Sequence, residues 1–377
     1  MSAARYVEYT SDPVLFLALE LSAAKWKVGT TVGLGQKPRE VTIESGDLDG
    51  LTEEISRAKE RFGLPAEAGV VSCYEAGRDG FWIHRWLEAQ GVENAVVDPA
   101  SVAVDRRKKR AKTDRLDLAM LMRCLIRWFG GEPKVWAVVQ VPSVKDEDDR
   151  QLHRELRALK DERSRHTNRM KSLLIIHGVK IPAKAGFIEQ LQECRVWDGS
   201  PLPEHLICRL EREYRRLEVV REQILLLERQ RRVALRESED EKVEKVRQLT
   251  RLRGVAYNGS WLFVMEFFGW RQFKNRREVG SLAGLTSTPH ESGDMSRELG
   301  IDKAGNPRIR TMAIEIAWCW LRFQPQSDLS QWFNRRFANG GKRARRIGIV
   351  ALARRLLVAL WRYVDQGVVP AGAILSK

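Results

Sequence analysis

The 377-residue chain predicts three successive parts: an α/β domain over 12–143, a helical arm of coiled-coil character over 144–245, and a mainly α domain over 246–377. Three observations carry this division. Short apolar runs alternate with helical patterns at the start, the middle turns highly charged around a narrow leucine seam, and the last third concentrates the positive charge.

The opening run 14–19 is continuously apolar, as in a strand buried in the middle of a sheet, and it ends on Glu20. Stretches 27–33 and 39–44 are the next strands. Gly33, Gly35 and Pro38 punctuate them, which predicts an antiparallel three-stranded meander. A helix is expected over 47–61. A fourth strand, 69–73, again runs into a carboxylate, Glu75, and Phe81, Trp82, Trp86 and Leu87 fall at helical spacing behind it. A fifth strand, 95–97, closes on Asp98 and Pro99; an Asp-Pro pair at a strand end reads first as a turn.

Residues 105–112 (DRRKKRAK) set six bases, Arg106, Arg107, Lys108, Lys109, Arg110 and Lys112, against one acid. Thr113 is placed to cap the helix that follows, and that helix displays Asp114 and Asp117, three residues apart on one face. The sequence Gly130-Gly131-Glu132-Pro133 ends it.

From 144 to about 236 two apolar seams appear, Leu152, Leu156, Leu159, Met170 and Leu173, then Leu206, Leu210, Tyr214, Leu217, Ile224 and Leu227, separated by a Gly- and Pro-containing break over 178–203. Two antiparallel helices within the chain or an intermolecular coiled coil both fit, and an oligomerisation arm is the expectation. Beyond it, Leu252-Arg253-Gly254-Val255 is a Gly-containing hairpin signal, resembling the backbone-binding turn of helix-hairpin-helix proteins. A polar loop is expected over 287–306, and Pro307 opens a long helix at a position where a missing N–H costs nothing. Trp318 and Trp320 lie on that helix, where core packing is the expected role.

The formal net charge is +15, and 251–377 holds 21 Lys and Arg against 9 Asp and Glu. Such an excess predicts a polyanionic partner, and 43% apolar residues with 31% charged excludes wholesale disorder. Five dispersed cysteines with no Cys-x-x-Cys pair predict neither a disulfide framework nor a zinc site. The first residues lack an apolar signal core, so a soluble, cytoplasmic protein associated with the nucleoid is expected, with no membrane partner. No Gly-x-x-x-x-Gly-Lys-Ser/Thr run is present.

Two strands ending in carboxylates and an acidic pair on a later helix would converge if the strands are neighbours and the helix crosses their ends. Oxygen ligands of this kind suit Mg²⁺ or Mn²⁺, ions that stabilise the attacking and leaving oxygens of a phosphodiester. Three strands, a helix and further strands with acids at their ends is the order of a ribonuclease-H-like sheet.

Tyr74-Glu75-Ala76-Gly77, the run Ala111-Lys112-Thr113-Asp114-Arg115-Leu116-Asp117, Ser292-Gly293 and the stretch Gly300-Ile301-Asp302-Lys303-Ala304-Gly305-Asn306-Pro307-Arg308-Ile309-Arg310 resemble the DEDD-type transposases of bacterial insertion sequences, relatives of the Piv-type DNA invertases. The resemblance runs from about Leu15 to Tyr363. It implies a RuvC-like nuclease domain, a coiled-coil arm and a C-terminal transposase domain with a nucleophilic serine. The four acids map onto Glu20, Glu75, Asp114 and Asp117, and the serine onto Ser292; Ser296 in the same segment is the runner-up, and a metal held by the carboxylates is a better activator of the serine than the neighbouring His290. Glu20 departs from the family, whose first acid is usually Asp. Lys303, Arg308 and Arg310, with the 106–112 bases, are the residues expected to meet phosphates.

The resemblance also implies donor and target double-stranded DNA as substrates, a non-coding bridge RNA as guide, and a homodimer or homotetramer. Two rivals use the same residues differently: a hydrolytic, structure-selective RuvC-like nuclease in which Ser292 is dispensable, and a catalytically silent nucleic-acid-binding descendant.

Overall fold

A computed structural model describes residues 13–102, 114–292 and 295–376. The chain separates into two compact units, one ending at Val141 and the other beginning at Pro142.

The first unit is built on a five-stranded mixed sheet. Strands β1 (Leu15–Leu21), β2 (Lys25–Thr31) and β3 (Arg39–Glu44) form the antiparallel meander that Gly- and Pro-punctuation predicts. Helix α1 (Leu48–Arg61), capped by the Asp47 side chain on the Gly50 amide at 2.8 Å, leads to β4 (Val70–Glu75). Helix α2 (Trp82–Ala89) follows, then β5 (Glu93–Val97). The spatial order is β3-β2-β1-β4-β5, with β4 parallel to β1 and β5 parallel to β4.

Alternation sorts side chains to the two faces. Leu15, Leu17, Leu19, Trp26 and Tyr74 pack with Leu51 of α1 and Ile83 and Leu87 of α2. Phe16, Ala18, Val71, Cys73, Ala95 and Val97 take the other face, beneath helix α3 (Asp114–Phe129), which contributes Leu118, Leu121 and Leu125. Gly29 admits α3 closely: a Cβ there would lie 3.1 Å from the Leu118 side chain.

The second unit is helical apart from one hairpin. Helix α4 (Val144–Asp148) has a Ser143 capping box. Helices α5 (Gln151–Ile175) and α7 (Glu204–Glu237) pair antiparallel, burying Leu156 against Val220, Ile224 and Leu227. Of the two arrangements the seams allow, the intrachain pair is therefore the one present, and each buried leucine contributes about 1.5–3 kcal/mol. The expected break carries its own helix, α6 (Phe187–Glu193), and a small core in which Phe187 stacks on Tyr214 at 4.9 Å. Glu213 lies buried between the paired helices; burial acts to raise its pKa, but hydrogen bonds from Arg216, His166 and Arg169 prevail and hold it at about 2.

Helix α8 (Glu241–Thr250) precedes the Gly254 turn, where φ is +88° and α9 (Tyr257–Phe263) begins three residues on. The turn is clamped from behind: the fully buried Gln324 amide donates to the Arg253 and Ile374 carbonyls at 2.9 and 2.8 Å. Helix α9 runs on into a single π turn, Val264–Phe268, which carries the buried Glu266. After α10 (Arg276–Leu282), where a polar loop was expected, strands β6 (Ser287–Ser292) and β7 (Met295–Ile301) form an antiparallel hairpin. Hydrogen bonding between the two arms of the segment makes it regular, a pairing its polar composition does not advertise. Helices α11 (Pro307–Phe323), α12 (Asp328–Phe337) and α13 (Lys342–Gln366) complete the unit. Trp320 is fully buried, as expected, whereas Trp318 stays 43% exposed.

Candidate active site

Glu20 and Glu75 stand near the C-terminal ends of β1 and β4, which are parallel neighbours with Leu19 opposite Tyr74. The alternation that places Phe16 and Ala18 beneath α3 continues to Glu20, and that of Val71 and Cys73 continues to Glu75. Both carboxylates therefore belong to the sheet face that α3 covers. The first turn of α3 is close by, since Leu118 packs on Gly29, which pairs with Ala18 two residues before Glu20. Asp117 lies in that turn, half-buried; Asp114 opens the helix, and its side chain lies outside the described residues.

Glu20 and Glu75 line one cavity of about 240 Å³ with Tyr74, Ala76, Gly77 and Asp79. Asp79, largely buried and paired with Arg78 at 3.1 Å, is the carboxylate that motif reading missed. An acid in the glycine-flanked turn Gly77–Gly80, directly after a strand-end glutamate, is the signal that points to it. Among the described residues no group of three His, Cys, Asp or Glu side chains stands in metal-holding proximity. The oxygen donors present are of the type a hard divalent ion takes, and Asp114 is the predicted ligand whose side chain is not among those described.

The bases Arg106, Arg107, Lys108, Lys109, Arg110 and Lys112, together with Thr113, also lie outside the described residues. Asp98 is a turn residue, its carboxylate accepting from the Ala100 amide at 3.0 Å.

In the second unit Ser292 closes β6, its backbone opposite Met295 across a two-residue connection; Ser296 is paired with Glu291 and His290 with Arg297. The side chains of Ser292, Ser296 and His290 are outside the described set.

The Gly-Asn-Pro segment has a structural explanation. A Cβ on Gly305 would lie 2.2 Å from the Leu282 carbonyl oxygen and 2.3 Å from the Gly284 nitrogen, so only glycine lets these backbones meet. Gly284 itself has φ +63°. Asp302 accepts from the Thr286 hydroxyl at 2.5 Å and the Ala304 amide at 3.1 Å, tying the end of β7 to the start of the hairpin. The Asn306 side chain accepts from the Arg308 and Ile309 amides at 2.9 and 3.3 Å, capping α11 ahead of Pro307.

Arg310 Nη1 donates to the carbonyls of Lys303, Ala283 and Gly305 at 3.1–3.4 Å, so this guanidinium holds the loop. Arg308 and Lys303 are exposed, Lys303 with φ +62°. Asn306→Ala is expected to lower stability by about 1 kcal/mol, with Asn306→Asp nearly neutral; denaturant titration checks both, and an unchanged midpoint for the alanine variant would remove the cap from the account.

No helix among the described residues is long and apolar enough to cross a membrane. Residues 246–330, which span the Gly254 turn, the hairpin and all of α11, match the model of the transposase IS116/IS110/IS902 family. A protein of Sinorhizobium fredii (strain NBRC 101917 / NGR234), provisionally named transposase y4rJ, is 41% identical over 96% of this chain and 94% of its own. The transposase for insertion sequence element IS1328 of Yersinia enterocolitica is 26% identical over 58% of this chain and 63% of its own. Similarity of that extent along nearly the whole length places this chain in the IS116/IS110/IS902 family of insertion-sequence transposases.

Proposed function

We propose that the chain cuts and rejoins DNA strands for an insertion sequence, with Ser292 as the nucleophile and Glu20, Glu75, Asp114 and Asp117 as the ligands of Mg²⁺. The observation that supports this best is the placement of Glu20 and Glu75 on neighbouring parallel strands, on the face crossed by the helix that carries Asp114 and Asp117. The strand order β3-β2-β1-β4-β5, with its antiparallel meander and parallel second half, supports a RuvC-like, ribonuclease-H-type reading of the first unit.

A divalent ion held by these carboxylates supplies Lewis-acid stabilisation of phosphodiester oxygens. The Ser292 oxygen forms a bond to phosphorus as the bond to a deoxyribose oxygen breaks, and that oxygen leaves with a proton. A hydroxyl of the second DNA strand then displaces the serine, which recovers its proton. The number of phosphodiester bonds is conserved, so no nucleotide hydrolysis is required. Donor and target duplexes are the substrates, a structured non-coding RNA is the guide that the family resemblance implies, and a dimer or tetramer is the working assembly.

The test is excision in cells. The protein is expressed with the DNA flanking its gene, and the circular junction is amplified for wild type, Asp114→Ala and Ser292→Ala. Junctions from wild type alone are expected. Junctions from Ser292→Ala would overturn the serine and favour water or Ser296; none from well-expressed wild type with intact flanks would favour a silent nucleic-acid-binding protein.

A further inference from the structure

The second unit contains an open groove of about 1580 Å³, lined among others by Lys303, a residue expected to meet phosphate. Its floor is one face of α13. Arg343, Arg346, Arg354, Arg355 and Arg362 recur there at successive intervals of three, eight, one and seven residues, which keeps them on one broad face of the helix. The opposite face of α13, with Ile349, Leu352, Leu356, Leu360 and Tyr363, is buried in the core, so the arginine stripe necessarily faces outward.

Arg276 and Arg277 of α10 form one wall. The base of the β6–β7 hairpin, at Ser287, Gly300 and Ile301, together with Lys303, forms another. Among the described residues eight cations thus line the groove against one carboxylate, Asp328. Among the described residues none of the eight forms an ion pair with a carboxylate within 4 Å. A concentration of uncompensated positive charge on ordered helices favours a polyanion.

Resting on the transposase reading, we infer that this groove holds one sugar-phosphate backbone of a DNA duplex and leads it toward the hairpin whose far end carries Ser292. Three features select that occupant. From Arg343 to Arg362 the stripe extends about 29 Å at 1.5 Å per residue, the axial length of about eight phosphates on one strand of duplex DNA. Among the described lining residues the single aromatic ring, Trp332, already carries the Arg355 guanidinium 4.0 Å from its centroid, so these residues offer no free stacking platform for unpaired bases. Between the arginines the floor is Val350, Ala351, Val358 and Ala359, an apolar surface that suits deoxyribose and offers a 2′-hydroxyl no partner. Ser292 lies five residues along β6 from Ser287, about 17 Å at strand rise, so a backbone leaving the groove continues along the hairpin.

Duplex binding tests this, measured by fluorescence anisotropy in a metal chelator so that no strand is cut. The probe is a random-sequence DNA duplex longer than the groove, titrated between about 50 and 200 mM salt. Arg346→Gln/Arg362→Gln is expected to weaken binding about tenfold and to reduce the slope of log affinity against log salt by about 2. Arg276→Gln/Arg277→Gln, on the opposite wall, is expected to do the same. All four side chains are exposed, so melting temperatures should match wild type.

The control is Arg209→Gln/Arg212→Gln on the exposed side of α7, expected to change affinity less than twofold. A wild-type slope in both groove variants, or an equal loss in the arm variant, overturns the groove. Binding of a single strand or of an RNA duplex of the same sequence as tightly as the DNA duplex overturns the choice of occupant. Because no cleavage is read, these outcomes are separate from the fate of Ser292 in the excision test.

Discussion

Glu75→Gln is expected to reduce DNA strand cleavage by on the order of 10³-fold or more while leaving the melting temperature of the protein within a degree or so of wild type. The substitution keeps the volume of the side chain while it removes the charge and turns one acceptor oxygen into an amide donor. Glu75 ends β4, Glu20 stands one residue before the end of the neighbouring β1, and both line one small cavity, which on the proposed reading is where the Glu75 charge is used. Asp79→Asn, in the same cavity but paired with Arg78, should act more mildly. For Asp79→Asn the expected signature is about a tenfold rise in the Mg²⁺ or Mn²⁺ concentration giving half-maximal cleavage, the size typical of residues that orient metal ligands. Single-turnover nicking across a metal titration reads both; cleavage by Glu75→Gln at the wild-type rate would remove the carboxylate site from the mechanism.

Glu266→Ala is expected to destabilise the second unit by about 3–5 kcal/mol, lowering its melting temperature by roughly 6–20 °C. Glu266 sits 2% exposed in the π turn and accepts from His153 Nε2 at 2.9 Å and from Arg154 through a two-pronged contact at 2.7 and 2.9 Å. Both partners are on α5, so the carboxylate joins the helical pair to the C-terminal helices within this unit. Its loss leaves the Arg154 guanidinium without its carboxylate in a site where Arg150 and Arg231 are also buried cations. Glu266→Gln, which retains acceptor capacity, should lose less. A loss under about 1 kcal/mol for the alanine variant, measured by denaturant titration, would show that the contact is dispensable.

The same cluster sets an acid limit. Burial lowers the pKa of His153 from its ordinary 6.5, with its hydrogen bond to Glu266 opposing, so the folded protein binds this proton less readily than the unfolded chain. Its Nδ1 is buried without a hydrogen-bond partner, which is where the extra proton would go. Burial acts to raise the Glu266 pKa, but the His153 and Arg154 contacts prevail and hold it well below its ordinary 4.5. Both groups have depressed values in the fold, so their stability is fully present above about 6.5 and is lost progressively as pH falls, with the carboxylate part going below about 4.5. A melting temperature that rises between pH 7 and 4 would contradict this assignment.

Much of the candidate site is legible in the sequence because its residues are attached to strong local signals. An apolar run that stops on a carboxylate marks a buried strand delivering an acid to the sheet edge, and this located Glu20 and Glu75. Spacing of three on a helix put Asp114 and Asp117 on one face, and Asn-Pro announced the start of α11. These signals span a few residues, and the backbone periods of two and 3.6 that generate them act within the segment itself.

What local pattern does not encode is pairing between segments. The polar residues of the β6–β7 hairpin carry the pattern of a loop, and its strands exist through each other's hydrogen bonds. The leucine seams of α5 and α7 were equally compatible with a partner chain; their burial against one another is a matter of the turn between them and the core around Phe187. Asp79 joins Glu20 only because β4 adds beside β1, and Glu266 meets His153 across 113 residues of sequence. The basic residues of the last third point to phosphate neutralisation one by one, and those of α10 and α13 become a single cationic groove when the core fixes which face of each helix is left outside. The sequence by itself determined the elements and the chemistry each one carries; the tertiary structure decided which of those chemistries share a cavity, because long-range packing selects among faces that local periodicity leaves equivalent.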